Sequence, residues 1–372
     1  MATKISSRTF HTESMIDTKI LYSSIIMILC IIFLSVASGF TDVSLRVQEI
    51  MDKANASGLR ALPNQSKLLA MQKDMLNTAK MTKEQIELGK ILYFDPRLSG
   101  NKQYSCNSCH NISLFGTNAR VAQDNPQHLL TPTIFNVMFN DSLYYQGSIN
   151  KIDRADKNTT NFTPNNIVAR AVLRALTAEN EMRGNINKIL TDITKSEEYM
   201  SYFRRAYGTK VKVTPELIAE SLASFVMTLN TFSRYDDFLA GNIKALSLEE
   251  SEGLNIFIER GCVACHNGIN LGGSMQPFGI MREYRFKSLG NLPLDSNNML
   301  KVPTLRNVTI TPPYFHNGAF AKLEDAIREM GQIQIGVNLS NKDINKIIAF
   351  LHSLRGNLDP IELPILPFIA DD

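Results

Sequence analysis

At 372 residues the chain has room for two domains of ordinary size, and 44% apolar residues make packed cores feasible. A net charge of +3 is small for that length, and no run of five or more Lys/Arg occurs, so nucleic-acid binding has no support. There are five cysteines and no tryptophan.

In chain order, residues 1–19 carry Lys4, Arg8 and Lys19, and the uncharged run ILYSSIIMILCIIFLSVASGF follows from Ile20 to Phe40. This is an n-region and an h-region, with small residues in SVAS for cleavage after about Ala37. The run is also long enough to be an uncleaved membrane anchor. Either reading exports everything after residue 40. Cys30 lacks the small residue expected before a lipidated cysteine and reads as filler of the run.

Helical signals dominate the rest. Thr82 followed by Gln85 predicts a capping box, with Leu88, Ile91 and Leu92 on one apolar face. SCNSCH occupies residues 105–110, then TPTIFNV (131–137) and YYQG (144–147). An Asn/Thr-rich stretch, KNTTNFTPNN (157–166), reads as a surface loop. Thr214-Pro215 starts a helix with Ile218, Leu222, Phe225, Val226 and Leu229 in register. A boundary falls near Arg234 to Asn242. Ser247 and Glu250 open a helix carrying Leu254, Phe257 and Ile258. GCVACH follows at 261–266, then VPTLRNV (302–308) and YFHNG (314–318). Ser340 opens a last helix bearing Ile344, Ile347, Ile348 and Leu351, with Gly356 past its end. No sustained period-2 alternation occurs, so the class is mainly α, and the order of motifs repeats once.

Zinc sites place CxxC pairs some 15–20 residues apart, whereas these pairs lie 156 apart; a thioredoxin-like CxxC needs a βαβ context that is absent. CxxCH attaches a c-type haem. Residues i, i+3 and i+4 share one face of a helical turn, so both cysteines can bond the vinyl groups while the histidine reaches the iron. The expectation is two covalent haems, on Cys106 and Cys109 with His110, and on Cys262 and Cys265 with His266. The sixth ligand then decides function: a Met closes a haem and raises its potential, while an open face meets substrate. In the second half Met330, fourteen residues after His316, is the candidate, with Met275 and Met281 competing. In the first half the comparable segment is TAENEMRG (177–184). There Glu181 could move protons beside an open iron, against the plainer reading of a solvated helix residue.

Over roughly residues 80–356 the chain resembles the bacterial di-haem cytochrome c peroxidases. The resemblance rests on LGKILYFDPRLSG, SCNSCHN, TPTIFNV, GCVACHNGINLGG, LRNVTITPPYFHNG and MGQIQIG. It implies two cytochrome c-like domains, taken as 41–237 and 238–372 after a signal or anchor segment at 1–40. The N-terminal haem would be the peroxidatic centre and the C-terminal haem the electron-entry centre. It puts Met330 on the second iron and makes Glu181 the catalytic glutamate, with His128 and Glu179 next in line.

Three departures from the family pattern matter. The loop holding the distal histidine is shorter here, and its histidine, His128, stands as a candidate cap of the resting peroxidatic haem. The tryptophan between the haems falls on Tyr145, still a candidate for the electron path. An asparagine that helps bind interdomain calcium falls on Leu130, which offers no side-chain oxygen; Thr311 and the carbonyl of Pro313 remain as candidate calcium contacts. The implied activity is reduction of hydrogen peroxide in the periplasm with electrons from a small cytochrome c or cupredoxin, in a protein that the family makes usually dimeric. Two alternatives stay open. One is a protein-modifying di-haem oxidase, which has tyrosine where Met330 sits. The other is a non-catalytic di-haem electron carrier.

Overall fold

Side-chain caps start the helices where the sequence puts them. The computed structural model describes residues 13–75, 81–118, 129–151, 166–289, 292 and 294–369, without the side chains of 13–21, 30–41 and 75. The chain divides into two units, Met1–Ile50 and Met51–Asp372. The first contains most of one long helix, α1 (Glu13–Ala56), on which residues 22–29 are exposed. Among the described residues no helix is long and apolar enough to cross a membrane.

In the second unit α2 (Gln65–Met75) leads to α3 (Lys83–Phe94). Thr82 caps α3: its hydroxyl accepts the Gln85 N–H at 3.2 Å, and the Gln85 side chain accepts the Thr82 N–H at 3.0 Å. The short α4 (Cys106–Cys109) follows, then a ribbon of β1 (Ser142–Leu143) and β2 (Ile149–Asn150). Four helices complete the first half: α5 (Ile167–Thr177), α6 (Ile186–Lys195), α7 (Glu197–Tyr207) and α8 (Pro215–Val226). Asn166 does not belong to a surface loop. It is 2% exposed, and its side chain caps α5 at the Ala169 N–H, because an open helix end needs an acceptor. The remaining residues of that predicted loop lie outside the described residues.

The second half opens with α9 (Arg234–Leu239) and α10 (Leu248–Glu259), continues with the ribbon of β3 (Met275–Pro277) and β4 (Met299–Lys301), and ends with α11 (Leu323–Met330) and α12 (Asn341–Ser353). Ser247 and Glu250 form a second capping box, and Ser340 caps α12.

The repeat seen in the motifs is a repeat in packing. Helix α3 crosses α8 so closely that a Cβ on Gly89 would land on the carbonyl oxygen of Ser221 and 3.0 Å from Phe225 Cβ; on Gly253 of α10 it would land on the carbonyl of Lys346 and 3.0 Å from Phe350 Cβ of α12. Glycine is needed at both crossings because the neighbour is backbone and cannot rotate away. The same correspondence runs on. The N–H of Asn136 donates to Leu229 O and that of Asn307 to Leu354 O, and both asparagines are left-handed, at φ +57° and +63°. Their side chains accept the N–H groups of Thr231 and Gly356 and both donate to the Thr231 hydroxyl, at 3.1 and 2.8 Å. Thr231 thus joins the repeats.

A buried ion pair fixes α9, where the second half begins, to the rest of that half. Arg306, 1% exposed, makes a bidentate contact with Asp236 at 2.7 and 3.0 Å. Burial alone would push the Asp236 carboxyl up. The Arg306 guanidinium and the N–H groups of Leu62 and Ser233 outweigh it and hold the carboxyl below its usual range. The chain ends are also exchanged. Residues before α2 bond to the second half, as Arg60 N to Gly268 O and Leu62 N to Asp236. The tail after α12 returns to the first: Leu358, Ile361 and Leu366 pack on its core, and Arg97 and Ser196 donate to the carbonyls of Pro367 and Phe368.

Candidate functional site

Each CxxCH motif folds as one tight turn. Cys106 and Cys109 bound α4, and His110 caps it, its N–H donating to Cys106 O at 2.8 Å. In the second motif a 3₁₀ turn covers Cys262–Ala264, and the His266 N–H likewise donates to Cys262 O, at 3.0 Å. None of the four cysteines is in a disulfide. Burial pushes the Cys106 thiol up to about 12 and the Cys262 thiol up to about 11. Each histidine turns Nδ1 onto a backbone carbonyl, Gly116 O for His110 and Leu271 O for His266, both at 3.1 Å. A carbonyl only accepts, so Nδ1 carries the proton and Nε2 keeps the lone pair. Burial also pushes both imidazoles toward the neutral form. A neutral imidazole with its Nδ1–H anchored on a backbone carbonyl is the form that offers Nε2 to an iron.

The residues fit a haem on further grounds. His316 is 3% exposed, yet neither ring nitrogen has a hydrogen-bond partner, and Thr309 Oγ1 is likewise buried without one. Lys301, 6% exposed, sits with its ammonium 5.9 Å from the Tyr145 ring, and burial pushes it down to about 8. Buried polar groups are normally satisfied. A porphyrin with carboxylate arms is a partner of the right chemistry.

Met330 is the last residue of α11, followed at once by a π-helical turn, Gly331–Ile335, of the kind that marks functional positions. Its side chain packs against the buried cluster of Tyr284, Phe320, Ala326 and Ile333. Its two competitors are otherwise engaged. Met275 lies over Gly147 of the first ribbon, so close that a Cβ there would strike its Sδ, and Met281 is 61% exposed.

Glu181 is not on a helix. It lies in the turn that ends α5, where its N–H donates to Ala178 O at 3.0 Å and the Met182 N–H reaches back to Ala175 O at 3.1 Å. The turn forms because α5 stops at Ala178. The Tyr144 phenol donates to Glu181 Oε1 at 3.2 Å, and the Arg174 guanidinium lies over the Tyr144 ring at 4.3 Å. Glu181 is exposed as a whole residue, but burial of its carboxyl end pushes it up from the ordinary range, with Tyr144 and Arg174 pulling it partly back. Its charge is felt at Cys106, which places it by the first motif. Tyr144 and Arg174 were not among the residues singled out from the sequence. The doubled tyrosine was their one signal.

Tyr145 lies where the two halves meet. Its hydroxyl donates to Leu130 O at 2.8 Å, Leu130 N–H donates to His316 O at 2.8 Å, and the Lys301 N–H donates to Tyr145 O at 2.7 Å. Burial raises its phenol, so it stays protonated. The Thr311 hydroxyl is turned onto the carbonyls of Asn307 and Val308, at 3.4 and 3.5 Å. His128 lies outside the described residues.

Two helical units, each with a CxxCH turn and a neutral, backbone-anchored histidine, define a protein of two cytochrome c-type domains. A family model described as di-haem cytochrome c peroxidase matches residues 83–244, and one described as cytochrome c matches 251–355. The cytochrome c551 peroxidase of Nitrosomonas europaea is 35% identical over 295 residues, covering 76% of this chain and 83% of that protein. That of Pseudomonas aeruginosa is 33% identical over 305 residues, covering 77% and 83%. The solved structure of a MauG-like protein associated with microbial copper homeostasis shares the fold at a TM-score of 0.60, with 20% identity over 74% of this chain and 91% of that one. The chain belongs to the di-haem cytochrome c peroxidase family, which implies two c-type haems.

Proposed function

We propose that this protein reduces hydrogen peroxide to water with two electrons and two protons, the electrons coming singly from a small reduced cytochrome c or cupredoxin. Two covalently held haems would supply the iron that takes peroxide and the redox path leading to it. Cys106, Cys109, Cys262 and Cys265 would hold them, and His110 and His266 would be the iron ligands. Met330 closes the C-terminal site, a reading supported by its seat against the buried cluster and by the engagement of Met275 and exposure of Met281. Tyr145 bridges the halves on the electron path.

The observation that carries the enzyme reading is Glu181, held beside the first motif by Tyr144. Splitting the O–O bond unevenly requires moving a proton from one oxygen to the other. A carboxylate raised by burial, yet still partly stabilised in its charged form, can accept that proton and return it. His128 stands as cap of the resting N-terminal site, and Thr311 and Pro313 as calcium contacts. The domains run over 41–237 and 238–372. The apolar run at 20–40 exports the protein to the periplasm, as a cleaved signal or an anchor, and the active form is a homodimer.

Met330 argues against the protein-modifying oxidase, and Glu181 against the plain carrier. Oxidation of a reduced small cytochrome, with and without peroxide, separates the three. Peroxide-dependent oxidation of two cytochromes per peroxide is expected. Oxidation that ignores peroxide would leave only the carrier.

A further inference from the structure

The Tyr144 phenol has two acceptors within reach. It stands 3.2 Å from Glu181 Oε1 and 3.4 Å from the carbonyl oxygen of Ala171 on α5. One phenol proton serves one of them well at a time. An ionised carboxylate is the stronger acceptor, by roughly a factor of two over a neutral one. Once Glu181 carries a proton, the Ala171 carbonyl is the better remaining choice. Arg174 holds the ring in place from its face while donating to Ser148 Oγ at 2.6 Å. Tyr144 is itself in the left-handed region, at φ +62°, so its position is set by the turn rather than by its own preference.

We propose that Tyr144 is the positioning residue of the proton-handling carboxylate. Its phenol donates to ionised Glu181 and turns to the Ala171 carbonyl when Glu181 is protonated, so it steadies the carboxyl in its charged form and releases it in the neutral form without leaving its own donor unpaired. No proton leaves Tyr144, since burial keeps the phenol protonated well above its ordinary range. The step at Glu181 balances by itself: the carboxylate gains one proton from peroxide and gives the same proton to the departing oxygen. The groups facing Glu181 are Tyr144 from the turn after β1, Arg174 from α5 and the Cys106 sulfur from α4. On its own turn Glu179 and Arg183 are neighbours, and the Arg183 Nε is turned onto the Glu179 carbonyl.

This inference rests on the assignment of Glu181 as proton carrier. Tyr144→Phe in the holoprotein keeps the ring under Arg174 and removes only the donor. A hydrogen bond to a charged group is worth roughly tenfold or more, so kcat should fall about tenfold with KM for peroxide unchanged. Without its donor the charged carboxylate is less favoured. The acid limb of kcat/KM should therefore move up by about one pH unit, the shift equivalent to a tenfold loss. Titrating the carboxyl infrared band that Glu181→Gln abolishes should show the same upward shift without turnover. An unmoved limb and an unmoved band would overturn the proposal and leave Tyr144 a packing residue. If Glu181→Gln instead retains turnover, the catalytic assignment of Glu181 falls, while the band in Tyr144→Phe still reports whether Tyr144 sets that carboxyl.

Discussion

Each motif histidine is set by one backbone contact, its Nδ1 on a carbonyl at 3.1 Å. Two cysteines three apart and a following histidine make a complete local instruction, and the structure folds both as single turns with Nδ1 anchored to a carbonyl. Residues whose role comes from the far side of a loop carry no such instruction. Tyr144 meets Glu181 across 37 positions and Arg174 across 30, so no window of periodicity holds them together. The plainer reading of Glu181 is a solvated helix residue; the chain turns there instead, and the turn is what brings its carboxyl to the Tyr144 phenol. Met330 illustrates a third case. Fifteen methionines are chemically alike, and among the three candidates the exposure of Met281 and the seat of Met275 against Gly147 set Met330 apart. Axial ligands move haem potentials over a span of about 0.8 V, and Met sits at the raised end. Met330→Ala should lower the C-terminal potential by roughly 0.1–0.3 V within that span and slow electron entry. A redox titration checks it, and an unchanged potential would return the ligand to Met275 or Met281.

Among elements, the capped helices were legible because a cap is a local hydrogen bond. Thr82, Thr214, Ser247 and Ser340, all read as helix starts, each accept a backbone N–H of the first turn. How the helices cross was hidden in two glycines. Gly89 and Gly253 look like weak points in helical patterns, since glycine costs about 1 kcal/mol against alanine in a helix interior. Their value lies in the partner helix, 132 and 93 positions away at Ser221 and Lys346. Gly253→Ala would gain that ~1 kcal/mol of propensity but drive a methyl into the Lys346 carbonyl, and overpacking against rigid neighbours costs about 3 kcal/mol. A net loss of about 2 kcal/mol in denaturant unfolding is the expected outcome. A variant as stable as the parent would mean the two helices can part without cost.

For the molecule as a whole, two repeats are tied into one unit from Met51 onward, and both ends of that unit reach across. Arg306 and Asp236 lock α9, where the second half begins, onto that half with a buried pair whose rupture would strand a charge, a loss of about 3–5 kcal/mol. Thr231 joins the asparagines of both repeats, and Tyr145 stands at the seam with Leu130 and His316. None of this cross-wiring was visible in the motifs, which announce each half separately. The wiring divides labour. The residues read as serving electron entry, His266 and Met330, lie in the second half, and Glu181 and Tyr144, read as handling protons, lie in the first. A lesion in the first half should leave the second able to take electrons. The most direct test is therefore Glu181→Gln, followed by peroxide turnover and by the rate at which a reduced small cytochrome reduces the C-terminal haem. Both haems should remain attached, electron entry should keep its parental rate, and turnover should fall by roughly 10²–10⁴, the range of a positioned acid–base group. Turnover within a few-fold of the parent would contradict the account.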